Sequence, residues 1–130
     1  MLDLGRGFLQ SVERNPDAIA LVDGALRLTY GQWARRIGGA IRGVADLGLK
    51  RGDLLLSVLQ NRHEAATLHW ACQFAGIVIT PLNWRAKPDE IDHCLADSGA
   101  KVIVYEPVVE VSVAASTLAH NITRVGVGAP

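Results

Sequence analysis

Arg85 and Lys87 stand on either side of one alanine in the segment Pro81-Leu82-Asn83-Trp84-Arg85-Ala86-Lys87. A guanidinium two positions from an ammonium can hold an anion, the first through a bidentate fork and the second as a point charge. Trp84, in a loop rather than on a helical core face, adds an aromatic ring that could stack on a cofactor. The segment follows Ile77-Val78-Ile79-Thr80, which reads as a strand, and open α/β sheets place ligand crevices beyond the carboxyl ends of their strands. Arg85, Trp84 and Lys87 are therefore the candidate binding residues. The plainer alternative is a solvated loop, or salt bridges to Asp89 or Glu90.

Other chemistry finds less support. His69 with Cys72, and His93 beside Cys94, could offer ligands to zinc, but the tight paired spacings of structural zinc sites are missing and buried thiols are the simpler reading. No metal site is expected. Neither Gly5-Arg6-Gly7 nor Gly126-Val127-Gly128 completes a G-x-G-x-x-G turn, and Gly43 to Gly48 lacks the Lys and Ser or Thr of a phosphate loop. Ser57, His63 and Asp97 are present, yet no G-x-S-x-G elbow presents a nucleophile. No catalytic residue is assigned.

The elements that would hold the loop follow from periodicity and capping. Leu4, Phe8, Leu9 and Val12 share one face of a helix over 3–14, which Asn15-Pro16-Asp17 stops. Gly24-Ala25 separates two short apolar runs, 18–23 and 26–29, as a two-residue hairpin turn would. Thr29 and Gln32 form a capping box for a helix from residue 30, with Trp33, Ile37, Ile41 and Val44 inward and Gly48 at its end. Gly38, Gly39 and Gly43 each cost about 1 kcal/mol against Ala inside that helix, so close packing on a sheet is expected there. The run Leu54 to Leu59 reads as a strand buried on both faces. Asn61 with Glu64 should cap a helix ending at Gly76, and Pro88 should open another that closes at Gly99. Residues 77–80, 101–105 and 122–127 read as strands and 108–119 as a helix. The alternation predicts an α/β fold of parallel-sheet βαβ units, preceded by an amino-terminal helix and a β-hairpin.

Composition sets the outer limits. The chain has 130 residues, 49% hydrophobic and 20% charged, enough to build the core of one domain, 1–130. Thirteen basic residues balance thirteen acidic ones, so no positive field exists for nucleic acid or an anionic membrane. Ala65 to Trp84 lacks charge, but Gly76 and Pro81 interrupt it, and no membrane span is expected. Two cysteines and no secretion signal after Met1-Leu2 suggest a cytoplasmic protein.

Several segments, in order, resemble the amino-terminal part of the adenylate-forming, AMP-binding superfamily. Asn15-Pro16-Asp17-Ala18-Ile19-Ala20 is similar to its opening turn, Leu28-Thr29-Tyr30 to its first core motif, and Gly48-Leu49-Lys50-Arg51-Gly52-Asp53 to the turn before a core strand. Ala75 to Asn83 resembles the second core motif, followed by Pro88-Asp89-Glu90-Ile91 and Asp97-Ser98-Gly99-Ala100-Lys101. The resemblance spans about the first 106 residues, and Pro-Leu-Asn-x-Arg points to the acyl-CoA synthetase or CoA ligase branch. Trp84 stands where that loop often has proline, and Lys87 where Ser or Thr often caps the next helix.

The resemblance implies a part of a ligase that uses ATP and Mg²⁺ to turn a carboxylic acid into an acyl-adenylate, then passes the acyl group to CoA, as in fatty acid metabolism. The family's phosphate loop, its adenine- and ribose-binding motifs and its catalytic lysine have no counterpart in these 130 residues, so the chain alone should be inactive. Arg85 matches an arginine that in some CoA ligases lies near the nucleotide end of CoA. A noncatalytic module that binds CoA, a nucleotide or a protein partner is the alternative. An incomplete sheet should also favour self-association or a complementary carboxy-terminal chain.

Overall fold

A computed structural model of the chain describes residues 3–128; Met1-Leu2 and Ala129-Pro130, read above with the termini, lie outside the described residues. Helix α1 (Leu4–Arg14) starts at Asp3, whose carboxylate accepts the Arg6 N–H at 3.2 Å, and ends at Asn15 before Pro16. Strands β1 (Ile19–Asp23) and β2 (Leu26–Thr29) form the antiparallel hairpin, with Asp23 opposite Leu26 and Gly24 at φ +59°. Helix α2 (Tyr30–Asp46) opens on the expected box: Gln32 N–H donates to Thr29 Oγ1 at 3.1 Å, and Thr29 N–H donates to Gln32 Oε1 at 2.9 Å. Phe8, Leu28, Trp33, Ile37 and Ala71 join this amino-terminal unit to α3 (His63–Ala75). Phe8 stacks on Trp70 at 4.7 Å, and the Trp33 indole N–H donates to Thr67 Oγ1 at 3.0 Å.

The remaining elements build a four-stranded parallel sheet. Its strands are β3 (Leu54–Val58), β4 (Val78–Leu82), β5 (Val102–Tyr105) and β6 (Thr123–Gly126), in the order β4-β3-β5-β6. Side chains alternate between the two faces. Leu55, Val102 and Val104 face Val44 and Cys72 of α2 and α3, while Leu56, Val58 and Ile103 face α4 (Pro88–Ser98) and the carboxy-terminal segment. Helical layers thus cover both faces, as the unbroken apolar run of β3 requires.

Four local expectations are corrected. Strand β4 runs on through Pro81 to Leu82, because an edge strand tolerates a residue without an N–H. Helix α3 begins at His63, and Asn61 does not cap it; the hairpin's Asp23 Oδ2 accepts the His63 N–H at 3.0 Å instead. The predicted helix 108–119 is divided into a 3-10 turn (Pro107–Val109), a short helix α5 (Glu110–Ala115) and a second 3-10 turn (Leu118–Asn121). Ser116 causes the break. Its buried hydroxyl donates to Asp92 Oδ1 at 2.6 Å and accepts the Ala119 N–H at 3.2 Å, offering the backbone a partner outside the helix.

The fourth correction concerns the α2 glycines. A Cβ at Gly38 or Gly43 would meet nothing within 4 Å, and one at Gly39 only the Arg42 guanidinium at 3.8 Å. Close approach occurs at Gly5, where a Cβ would touch the Phe74 ring at 3.0 Å. Gly38→Ala is therefore expected to stabilise the chain by about 0.5–1 kcal/mol. Gly76→Ala should do the reverse, by more than about 1 kcal/mol. Gly76 has φ +73°, and a Cβ there would lie 2.8 Å from Arg51 Cγ. Urea melts of the two variants check both signs.

Candidate functional site

The carboxyl ends of the parallel strands gather the chain's polar candidates on one rim. Successive connections leave β3 in opposite directions, to β4 on one side and, after the crossover through α4, to β5 on the other. The switch point therefore lies between β3 and β5, the position where such sheets hold ligands. Glu106, just beyond β5, occupies it. Only 3% exposed, its carboxylate accepts the Gln60 N–H at 2.6 Å and so closes the gap between the two strand ends. An anion placed here would meet a carboxylate rather than free amides.

The predicted loop lies one strand away, beyond the edge strand β4. Asn83 organises it: Oδ1 accepts the Arg85 N–H at 2.9 Å and the carbonyl accepts the Ala86 N–H at 2.9 Å, an Asx turn that buries Ala86. Trp84 is half-buried against the α4 side of the core. The Arg85 guanidinium carbon lies 4.7 Å from its ring centroid, within cation–π range. Among the described residues Arg85 and Lys87 make no ion pair, so the salt bridges to Asp89 or Glu90 weighed above do not form. Lys87 occupies the N-cap position of α4 without a side-chain capping bond. Trp84 and Arg85 are thus brought together, and Lys87 stays on the same exposed loop.

A second concentration of polar groups lies where α3 begins, and spacing alone did not mark it. Asp23, His63 and Glu64 bring one ligand-type atom each to within 4.8 Å of one another, whereas His69, Cys72, His93 and Cys94 form no such group. A cation is disfavoured at this point. Asp23 Oδ2 already accepts the His63 N–H, the Arg62 Nε is 3.8 Å away, and the cluster sits at the positive end of a helix. Glu64 Oε1 is buried and makes no hydrogen bond among the described residues, although it lies 2.8 Å from His63 Nε2, close enough for an ion pair when that ring is protonated.

Beside Glu64 runs an open groove of about 260 Å³ between α2, α3 and the ends of β5 and β6. Ala40, Leu59, Leu68, Val104 and Val127 make its apolar walls, and Arg36, His63, Glu64 and Thr67 its polar margin. Cys72 lies deeper in the same layer, where burial pushes its thiol up to about 11. At the far side of the sheet, burial and the neighbouring Glu110 carboxylate raise the Tyr105 phenol. Glu64 and Glu106 both follow apolar strands by a few residues, the one sequence signal that could have marked them as rim groups.

Comparison with known proteins gives a consistent outcome. The model of the AMP-binding enzyme family matches residues 8–127. The chain is 34% identical over 125 residues to a feruloyl-CoA synthase of Amycolatopsis sp, covering 96% of this chain and 25% of that protein. It is 37% identical over 102 residues to 4-coumarate–CoA ligase 1 of Oryza sativa subsp. japonica, covering 72% and 18%. The chain thus spans about a quarter or less of the length of these relatives. Its structure superposes on the N-terminal domain of FACL13 from Mycobacterium tuberculosis with a TM-score of 0.88 and 25% identity, covering 98% of this chain and 34% of that one. A benzoate CoA ligase from Burkholderia xenovorans LB400 shares the fold at TM-score 0.90 and 16% identity, covering 98% and 26%. Among the described residues no helix is long and apolar enough to cross a membrane.

Proposed function

Because the chain belongs to the AMP-binding enzyme family, we propose that it forms the amino-terminal part of an AMP-forming acyl-CoA ligase. What supports this reading is the continuous match over residues 8–127, together with similarity to a feruloyl-CoA synthase over nearly the whole chain. In such a ligase a carboxylate oxygen attacks the α-phosphorus of ATP and pyrophosphate leaves; the CoA sulfur then attacks the acyl carbon and AMP departs. Mg²⁺, when bound, neutralises phosphate charge.

The residues of this chain do not fit a triphosphate. Glu106 fills the switch point, and the first amide of α3 is taken by Asp23. They fit the nucleotide end of CoA better. Arg85 carries an exposed guanidinium that makes no ion pair among the described residues and is held over the Trp84 ring, and Lys87 adds a second cation two residues on. Guanidinium donors match phosphate oxygens in pairs, and a ring already engaged by a cation keeps that cation in place. The chain's part in the reaction is therefore scaffold plus a cationic contact for CoA, while the regions of such a ligase that this chain does not match supply the chemistry on the acid and ATP.

Incubated alone with ATP, CoA and a panel of carboxylic acids, the chain is expected to release no AMP. Steady release of AMP and thioester would end this reading. In calorimetric titration with CoA, Arg85→Ala should weaken binding about tenfold or more, with the melting temperature unchanged because the side chain is exposed. Equal affinities for the two proteins would remove Arg85 from the site.

A further inference from the structure

Trp84 is engaged from two directions. The Arg85 guanidinium carbon lies over its ring, 4.7 Å from the centroid, and the half-buried side chain packs against the core cluster that contains Ile91 and Leu95 of α4. The loop has little freedom to release either contact. Asn83 Oδ1 accepts the Arg85 N–H at 2.9 Å, the Asn83 carbonyl accepts the Ala86 N–H at 2.9 Å, and Ala86 is only 3% exposed, so the backbone is tied down on both sides of the pair. A base stacking on Trp84 would have to displace the guanidinium from the ring, and with it the cation best suited to phosphate.

Resting on the CoA contact proposed above, we infer that Trp84 is a positioning residue and not a stacking platform: it holds Arg85 for the phosphates at the nucleotide end of CoA, and the site is indifferent to the base those phosphates carry. Stacking and holding make opposite demands on one ring. A platform needs an open face and gains from any base laid on it, whereas a holder has that face filled by the cation it orients. Here the face is filled, and the anchor of the ring in the α4-side core fixes where the guanidinium stands. Among the described residues neither Arg85 nor Lys87 pairs with a carboxylate, so both charges remain open to an anion. A guanidinium and an ammonium read phosphate charge and geometry, which are the same whatever base is attached.

The test is calorimetric titration of the full chain with two probes, beside CoA itself. Adenosine 3′,5′-bisphosphate carries the base, the sugar and two phosphates of CoA, and methyl ribofuranoside 3,5-bisphosphate carries the same sugar and phosphates without a base. The two are expected to bind within about twofold of each other, whereas stacking would favour the adenosine compound by about fivefold or more. Trp84→Leu should weaken both by about two- to fivefold, and Trp84→Phe, which keeps a ring, by less. In an Arg85→Ala background Trp84→Leu should have no further effect, a dependence that a merely structural role would not produce. Thermal melts confirm that each variant folds, and Trp84→Phe carries the comparison if Trp84→Leu does not. A base-free compound weaker by about fivefold or more would overturn the inference, as would a Trp84→Leu loss of equal size with and without Arg85. Both results leave the CoA contact standing. Failure of both probes where CoA binds would likewise overturn the inference alone, and failure of CoA as well would overturn the CoA contact with it.

Discussion

Truncating Leu56 to alanine is expected to cost about 2–5 kcal/mol, a large part of the roughly 5–15 kcal/mol that holds a domain together. Leu56 is 0% exposed, in register with Thr80 of β4 and Ile103 of β5, and its side chain joins the cluster containing Ile91, Leu95, Val109 and Val113. Removing three carbons there leaves a void bordered by a sheet and two helices, none of which can close it without moving the others. Val111→Ala, at an exposed site, serves as the reference and should stay within about 0.5 kcal/mol. Urea unfolding reads both as shifts of the midpoint at constant slope. A Leu56 loss no larger than that of Val111 would mean that β3 is not enclosed between two helical layers.

Ser116→Ala is expected to be the most damaging loss of a single hydroxyl, at about 1–3 kcal/mol, because it leaves the buried Ala119 N–H without an acceptor and strips a donor from Asp92. The same network carries a pH signature. The Ser116 hydroxyl first, and then the Leu118 N–H, hold the Asp92 carboxyl below its ordinary value of 3.8. The Lys50 N–H first, and then the Lys101 ammonium, lower that of Asp53. Depressed carboxyls bind protons less readily in the folded chain than in the unfolded one. Their contribution is therefore complete above the ordinary value and lost as pH falls through the lower folded values. Melting temperatures followed downward from about pH 5 should fall less steeply for Asp92→Asn than for the parent. Parallel curves would show that Asp92 does not act through its charge. Combining Asp92→Asn with Ser116→Ala should cost less than the separate losses together, since both break one network.

Most signals that lie within one turn or one hairpin agree with the structure, the Asn61 cap being the exception. Thr29 and Gln32 cap α2, Gly24 turns the hairpin, Pro88 opens α4, and Gly76 and Gly99 close α3 and α4 in left-handed conformation. The continuous apolar run of β3 foretold burial on both faces. What stayed hidden depends on residues distant in sequence. Asp23 caps a helix forty residues away, Asp92 draws Ser116 out of a helix, and Glu106 closes onto Gln60 across two strands. No local pattern encodes such partners, because each side chain would be equally at home in solvent. The α2 glycines mislead for a related reason. Their cost is local, whereas any benefit would have to come from a neighbour that this chain does not place there.

Pro81 in β4 gives the two flanks of the sheet unequal fates. On that flank the ladder lacks one donor, while the Thr123–Gly126 flank keeps an N–H on every residue. A strand pairing at the β4 margin would meet a position without a donor, whereas one pairing at β6 would not.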